Sequence, residues 1–205
     1  MRFIDNAYLV PHVLARHEAS FPVATTKART MAMNALSHGV DALPHVVDAL
    51  DVLKGKPENR WADLGIDRAR FIIDTTASDH VQEALICAGA SLPGRLITSV
   101  FYANGNAAGL FLEGRNRSPR IDDLQASLYD AAIGSSLRQF VHGRSGRLTR
   151  QYVGIGCHSM TMIMSNAQAA LFAAGMGKQV LAYHSENPSD GGEWWFGHRD
   201  DTGLG

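Results

Sequence analysis

Met1-Arg2-Phe3-Ile4-Asp5 opens the chain as a short apolar run closed by an acid, and Arg70-Phe71-Ile72-Ile73-Asp74 repeats the pattern downstream. Each reads as a strand whose acid sits at its carboxyl end, where α/β domains bind their ligands. In a dinucleotide-binding unit such an acid holds a ribose hydroxyl and follows a strand, a glycine-rich turn and a helix by about 20 residues. In this chain Asp5 comes without a glycine-rich loop before it.

Helical segments lie between these strands. Thr25 to His38 is rich in Ala, Met and Leu and stops before Gly39, and His45 to Leu53 is apolar at helical spacing with Gly55-Lys56-Pro57 closing it. Ser78 or Asp79 is placed to cap a helix from His80 to Ala88. Arg95 to Tyr102 and Gly109 to Leu112 read as strands joined across the turn-prone Asn104-Gly105-Asn106. A helix follows at Asp122 to Ile133, then a Gly-, Ser- and Arg-rich loop from Gly134 to Thr149. A short strand at Tyr152 to Gly156 leads to Cys157, Ser165 to Leu181 is a strong helix, and Trp194-Trp195-Phe196 forms a strand in the tail. Strands alternating with helices predict an α/β fold, Rossmann-like, with a mostly parallel sheet and helices on both faces. The absence of repeats and low-complexity segments predicts one domain over 1–205, with 134–160 as a crossover loop.

The chain has 205 residues, 45% hydrophobic and 19% charged, enough for one sizeable core. A formal net charge of −1 gives no electrostatic basis for binding nucleic acid or anionic lipid. No apolar stretch reaches the roughly 20 residues that span a bilayer, and the N-terminus is not basic then apolar, so a cytoplasmic protein is expected. Cys87 and Cys157 are too few for a disulfide framework or a four-cysteine zinc site. The nine histidines form no compact ligand motif, so no metal site is expected from them.

Asp5, Arg16 and Lys27 are the residue types an ATP site needs: a carboxylate for the ribose diol, a guanidinium fork and an ammonium for the phosphates. Each also has an ordinary reading, Asp5 as a turn residue, Arg16 and Lys27 as solvated charges. Cys157, next to Gly156 and His158 and ahead of a helix, has the setting of a reactive thiol; the alternative is a small buried residue. Cys87, inside Ala84-Leu85-Ile86-Cys87-Ala88, reads as core. Met160, Met162 and Met164 read as packing residues, and Trp194 and Trp195 as either an interface or a strand capping the core.

The order Asp5, Val13-Leu14-Ala15-Arg16-His17 and Val23-Ala24-Thr25-Thr26-Lys27-Ala28 resembles the ThiF/MoeB/HesA adenylyltransferases, whose fold is shared with ubiquitin-activating enzymes. Phe71-Ile72-Ile73-Asp74-Thr75-Thr76-Ala77 is similar to their apolar strand ending in Asp-x-Thr-Asp, and Gly154-Ile155-Gly156-Cys157-His158-Ser159-Met160-Thr161 to the crossover segment holding the reactive cysteine of many relatives. A bacterial branch fused to conjugating-enzyme or peptidase domains carries a similar Gly-Cys-x-Ser-x-Thr stretch.

The resemblance covers the chain from the family's second strand onwards. It implies a ThiF-like domain without its first strand and phosphate loop, with ATP and magnesium as cofactors. Asp5, Arg16, Lys27 and Asp74 would contact nucleotide, and Cys157 and Arg16 would act in catalysis. The implied reaction is attack by the C-terminal carboxylate of a ubiquitin-like or sulfur-carrier protein on the α-phosphate of ATP. Pyrophosphate leaves, and in some relatives a cysteine takes the acyl group as a thioester. Relatives usually pair as dimers, and a conjugating enzyme is a further implied partner.

The sequence departs from the family pattern at Val13 for Asn, Ala24 for Gly and Ala77 for the magnesium-linked Asp, besides the absent loop. Cradle groups of this kind carry much of the catalysis in phosphate chemistry. Two rival readings therefore stand beside the enzyme: a non-catalytic ThiF-like module that dimerises or binds a conjugation partner, and a truncated Rossmann oxidoreductase in which Asp5 holds the ribose of NAD.

Overall fold

The computed structural model describes residues 1–9, 25–56, 60–142, 151–152, 160–161, 165–185, 191–200 and 203–204. Along the chain these form β1 (Arg2–Ile4), α1 (Lys27–Ser37), β2 (Leu43–His45), α2 (Ala49–Leu53), β3 (Phe71–Asp74), α3 (Asp79–Ala88), β4 (Arg95–Tyr102), β5 (Ala107–Leu112), α4 (Ile121–Ala132), α5 (Arg138–Val141), β6 (Gln151–Tyr152), β7 (Met160–Thr161), α6 (Asn166–Ser185), β8 (Glu193–Asp200) and β9 (Gly203–Leu204). The fold is mixed α/β, as expected. The chain divides into two compact units, one of Met1–Arg70 with Ser78–Gly94, the other of Phe71–Ala77 with Arg95–Gly205.

In the first unit β1 and β2 pair in parallel, Ile4 opposite His45. The expected helix from His45 begins instead at Ala49, because His45 is taken up by β2 and Asp48 stands at the N-cap, its carboxylate accepting from Leu50 N at 2.8 Å. α1 starts where Thr26 caps it, burying Ala28 and Ala32 four residues apart, and Gly39 leaves it at φ +78°. Of the two proposed caps for α3, Ser78 is the one used, its hydroxyl accepting from Val81 N. The unit's apolar centre is Val52, Leu64 and Ile66, with Ile4, Val47 and Trp61 packed against it. Cys87 is exposed, which corrects its reading as core: the buried stripe of α3 is Val81 and Leu85.

The second unit is built on a five-stranded sheet in the order β3-β4-β5-β8-β9. Parallel pairing holds between β3 and β4, while β4–β5, β5–β8 and β8–β9 are antiparallel, so the sheet is mixed. The reason lies at Ala103 to Asn106, where Ala103 and Gly105 adopt φ of +48° and +83°. So tight a turn can only return the chain antiparallel, since a parallel return needs a crossover of a dozen residues or more.

Helices cover both faces of this sheet. α4 turns Ile121, Leu124, Leu128 and Ala132 inwards, and Ser127 on it accepts from Trp194 Nε1 at 3.2 Å. On the opposite face α6 contributes Phe172, Met176 and Tyr183 to a core with Ile97, Ala108, Leu110 and Leu112. The adjacent tryptophans divide by strand alternation: Trp195 joins the α6 core, and β8 lies between β5 and β9 in the sheet. Within the stretch expected to be a loop, Arg138–Val141 is a short helix, and β6 pairs antiparallel with β7.

Candidate functional site

The resemblance directs attention first to Asp5. Its N–H donates to the His45 carbonyl at 3.2 Å, carrying the β1–β2 pairing one step past Ile4. Its carboxylate Oδ1 then accepts from Ala7 N at 2.7 Å, the Asx turn that bends the chain away from the sheet. The next residues run antiparallel to the approach to α1. Tyr8 bridges Thr26, Leu9 N donates to Thr25 O at 3.0 Å, and Lys27 N donates to Ala7 O at 2.9 Å. Asp5 and Lys27 therefore bind the two ends of one residue, Ala7.

Lys27 is the first residue of α1, half-buried, and the first turn of that helix contains no acid. Lys27 thus brings a positive charge to a first turn that carries no acid, a position that favours anions. Asn6 donates to the Asp48 carboxylate at 3.3 Å, which ties the Asp5 turn to the cap of α2. His45 beside it has its pKa lowered, by burial first and the Arg2 guanidinium second, so it stays neutral at pH 7.

Asp74 belongs to the second unit. It is buried at the carboxyl end of β3, and its Oδ1 accepts from the backbone N–H of Thr76 at 2.9 Å and from the Thr76 hydroxyl at 2.8 Å. Ala77, where the resembled family has its magnesium-linked acid, is exposed and held at φ +52°. Across the parallel pair Asp74 is in register with Thr98, a buried residue whose hydroxyl has no hydrogen-bond partner in the structure.

Of the expected site residues, then, Asp5 and Lys27 meet at one turn and Asp74 lies within the other unit. Arg16 and Cys157, with His17, His158, Val13 and Ala24, lie outside the described residues. Among the described residues no group of three or more His, Cys, Asp or Glu could hold a metal ion. No described helix is long and apolar enough to cross a membrane.

One polar network escaped the sequence reading. Glu113, buried just past β5, accepts from Leu96 N at 3.0 Å and from Arg117 Nη1 at 2.8 Å. The Tyr183 hydroxyl donates to the Glu113 carbonyl at 2.6 Å and receives a bond from Arg95 Nη1 at 2.9 Å. Arg95 lies over the rings of both Phe71 and Tyr183, 5.3 and 4.9 Å from their centroids. These partners satisfy a buried acid and fix α6 to the sheet. The signal in the sequence was Glu113 itself, an acid directly after six buried strand residues.

Compared with known proteins, the chain matches no family model and no curated protein.

Proposed function

We propose that this chain is a ThiF-like domain that binds ATP to activate the C-terminal carboxylate of a ubiquitin-like or sulfur-carrier protein. The observation that supports the reading most is the Asp5–Ala7–Lys27 turn. The Asp5 carboxylate at a strand end and the backbone N–H of Lys27 at a helix start bind the same residue, so one turn carries both an acid suited to a ribose and a cationic residue suited to a phosphate. Burial of Asp74 at the end of a parallel strand adds a second acid of the type the reading needs.

In this reading Lys27 neutralises phosphate charge and Asp5 accepts from the ribose diol, for which the Ala7 contact must loosen or be shared between its oxygens. Magnesium would travel with the phosphates, and the resemblance gives Asp74 as an acid that would hold it. Arg16 adds phosphate neutralisation, and the Cys157 thiolate attacks the acyl-adenylate carbonyl, forming a thioester as the acyl–phosphate bond breaks and AMP leaves. The domain works as a dimer, with a second copy or a related subunit, and a conjugating enzyme is a further partner.

A second reading has its own observation. Ala77 stands exposed where the family's acid is expected, and Asp74 Oδ1 is bound to its own loop. A non-catalytic module that keeps the fold to pair with an active subunit would tolerate both.

ATP–pyrophosphate exchange, run with candidate carrier proteins whose C-termini are free, separates the two. Exchange that Lys27→Ala abolishes supports the enzyme. Absence of exchange together with absence of an ATP-dependent rise in melting temperature contradicts it.

A further inference from the structure

Within the first unit, Asp5 stands between two apolar side chains that lie in solvent. Tyr8, three residues on and so at most about 11 Å away along the chain, is 64% exposed. Its backbone is nonetheless pinned on both sides. The Ala7 N–H donates to the Asp5 carboxylate, the Ala7 carbonyl accepts from Lys27 N, Tyr8 bridges Thr26, and Leu9 N donates to Thr25 O. Leu9 is buried and faces the opposite way by strand alternation, which anchors the segment and leaves the tyrosine ring outward. A tyrosine on so fixed a backbone offers a large flat surface and gives up little freedom when it is covered.

The second apolar side chain comes from the neighbouring strand. One step past the Ile4–His45 pair stand Asp5, whose N–H donates to the His45 carbonyl, and Val46, which is exposed. Asn6 Nδ2 donates to the Asp48 carboxylate at 3.3 Å and so ties the segment carrying Tyr8 to the one carrying Val46.

An acid flanked in this way suits the two halves of a nucleoside. The base is joined to the ribose at the carbon next to the diol, so a surface that receives it must lie beside the carboxylate that accepts from the diol. Aromatic rings take the π-face of a base by stacking. We infer that Tyr8 is the base-stacking residue of this site: its ring receives the purine of the nucleotide, with Val46 the apolar contact on the β2 side. The inference rests on the ATP reading above and supplies the part that Asp5 and Lys27 leave open, since in that reading they contact only ribose and phosphate.

The test compares two probes by calorimetry on the full chain, ATP with magnesium and inorganic tripolyphosphate with magnesium, the second having no base. Tyr8→Ala should weaken ATP binding by about tenfold and change tripolyphosphate binding by less than about twofold. Tyr8→Phe and Tyr8→Trp, which keep a ring, should bind ATP within about twofold of the parent. Lys27→Ala, by contrast, should weaken both probes. If tripolyphosphate binds the parent too weakly to measure, Tyr8→Phe against Tyr8→Ala on ATP makes the same distinction, and Tyr8→Leu replaces Tyr8→Ala if the latter does not fold. Parent-like ATP binding by Tyr8→Ala, an equal loss with both probes, or a Tyr8→Phe variant as weak as Tyr8→Ala overturns the role of Tyr8 and leaves the ATP site standing. Failure of the parent chain to bind ATP overturns both.

Discussion

The backbone N–H of Lys27 donates to the Ala7 carbonyl across 2.9 Å, while the N–H of the same Ala7 donates to the Asp5 carboxylate at 2.7 Å. Lys27 therefore does its structural work through its backbone, and Asp5 through its side chain. Lys27→Ala should leave the stability of the unliganded protein within about 0.5 kcal/mol of the parent. Asp5→Ala should cost about 1 kcal/mol by opening the turn, and Asp5→Asn should recover most of that, because its amide oxygen can still accept. Urea unfolding of the three variants checks this.

The Glu113 network makes a sharper claim about stability. Glu113→Ala removes the acceptor of the Leu96 N–H and one carboxylate partner of the mostly buried Arg117 guanidinium, which should cost about 2 to 4 kcal/mol. Tyr183→Phe removes one hydroxyl that both donates and accepts, and about 1 to 2 kcal/mol is expected. Chemical denaturation should rank the two in that order.

Two tyrosines, Tyr183 buried and Tyr102 half-buried, contribute to stability at alkaline pH. The Tyr183 pKa is raised by burial, against a lowering from Arg95, and that of Tyr102 is raised by burial and then by Tyr129. With the folded values above the unfolded value of about 10, both contributions are complete below pH 10 and fall away as pH climbs through the folded values. Tyr102→Phe should flatten the loss of stability above about pH 10, as followed by melting temperature against pH. For His45 the sign reverses. Its lowered pKa gives stability that is present above about pH 6.5 and is lost as pH falls through the folded value, so a His45→Gln variant should lose less on acidification.

Glycines of α6 and β8 should respond in opposite directions. A Cβ on Gly197 would lie 2.3 Å from the Trp195 ring, so Gly197→Ala forces that ring out of the α6 core and should cost about 1 to 3 kcal/mol. Gly177, exposed on α6 with nothing within 4 Å, should gain up to about 1 kcal/mol on replacement by Ala. Thermal melts of the two variants suffice.

What the sequence disclosed follows from which forces are local. The strands at Phe71–Asp74 and Arg95–Tyr102 and the helix following Ser165 were legible because apolar runs and caps are written in consecutive residues. The helix expected at His45 failed because strand pairing with Ile4, a non-local contact, competes for the same residues. The antiparallel course of β5 was implied by the turn at Asn104-Gly105-Asn106, yet helix–strand alternation suggested a mostly parallel sheet. Asp5 and Asp74 stood out as acids ending apolar runs, and Lys27 through its residue type and its spacing from Asp5 and Arg16. Thr98 did not, since a threonine inside a strand is ordinary until its register partner and burial are known.

An ATP site that includes the turn joining Asp5 to Lys27 depends on the Lys27 ammonium for phosphate binding. Calorimetric titration of ATP with magnesium into the full chain, parent against Lys27→Ala, tests it most directly. The expected result is saturable binding that Lys27→Ala weakens by about tenfold or more, with the unliganded melting temperature unchanged. The absence of saturable binding, or equal affinity in the two proteins, would contradict the claim.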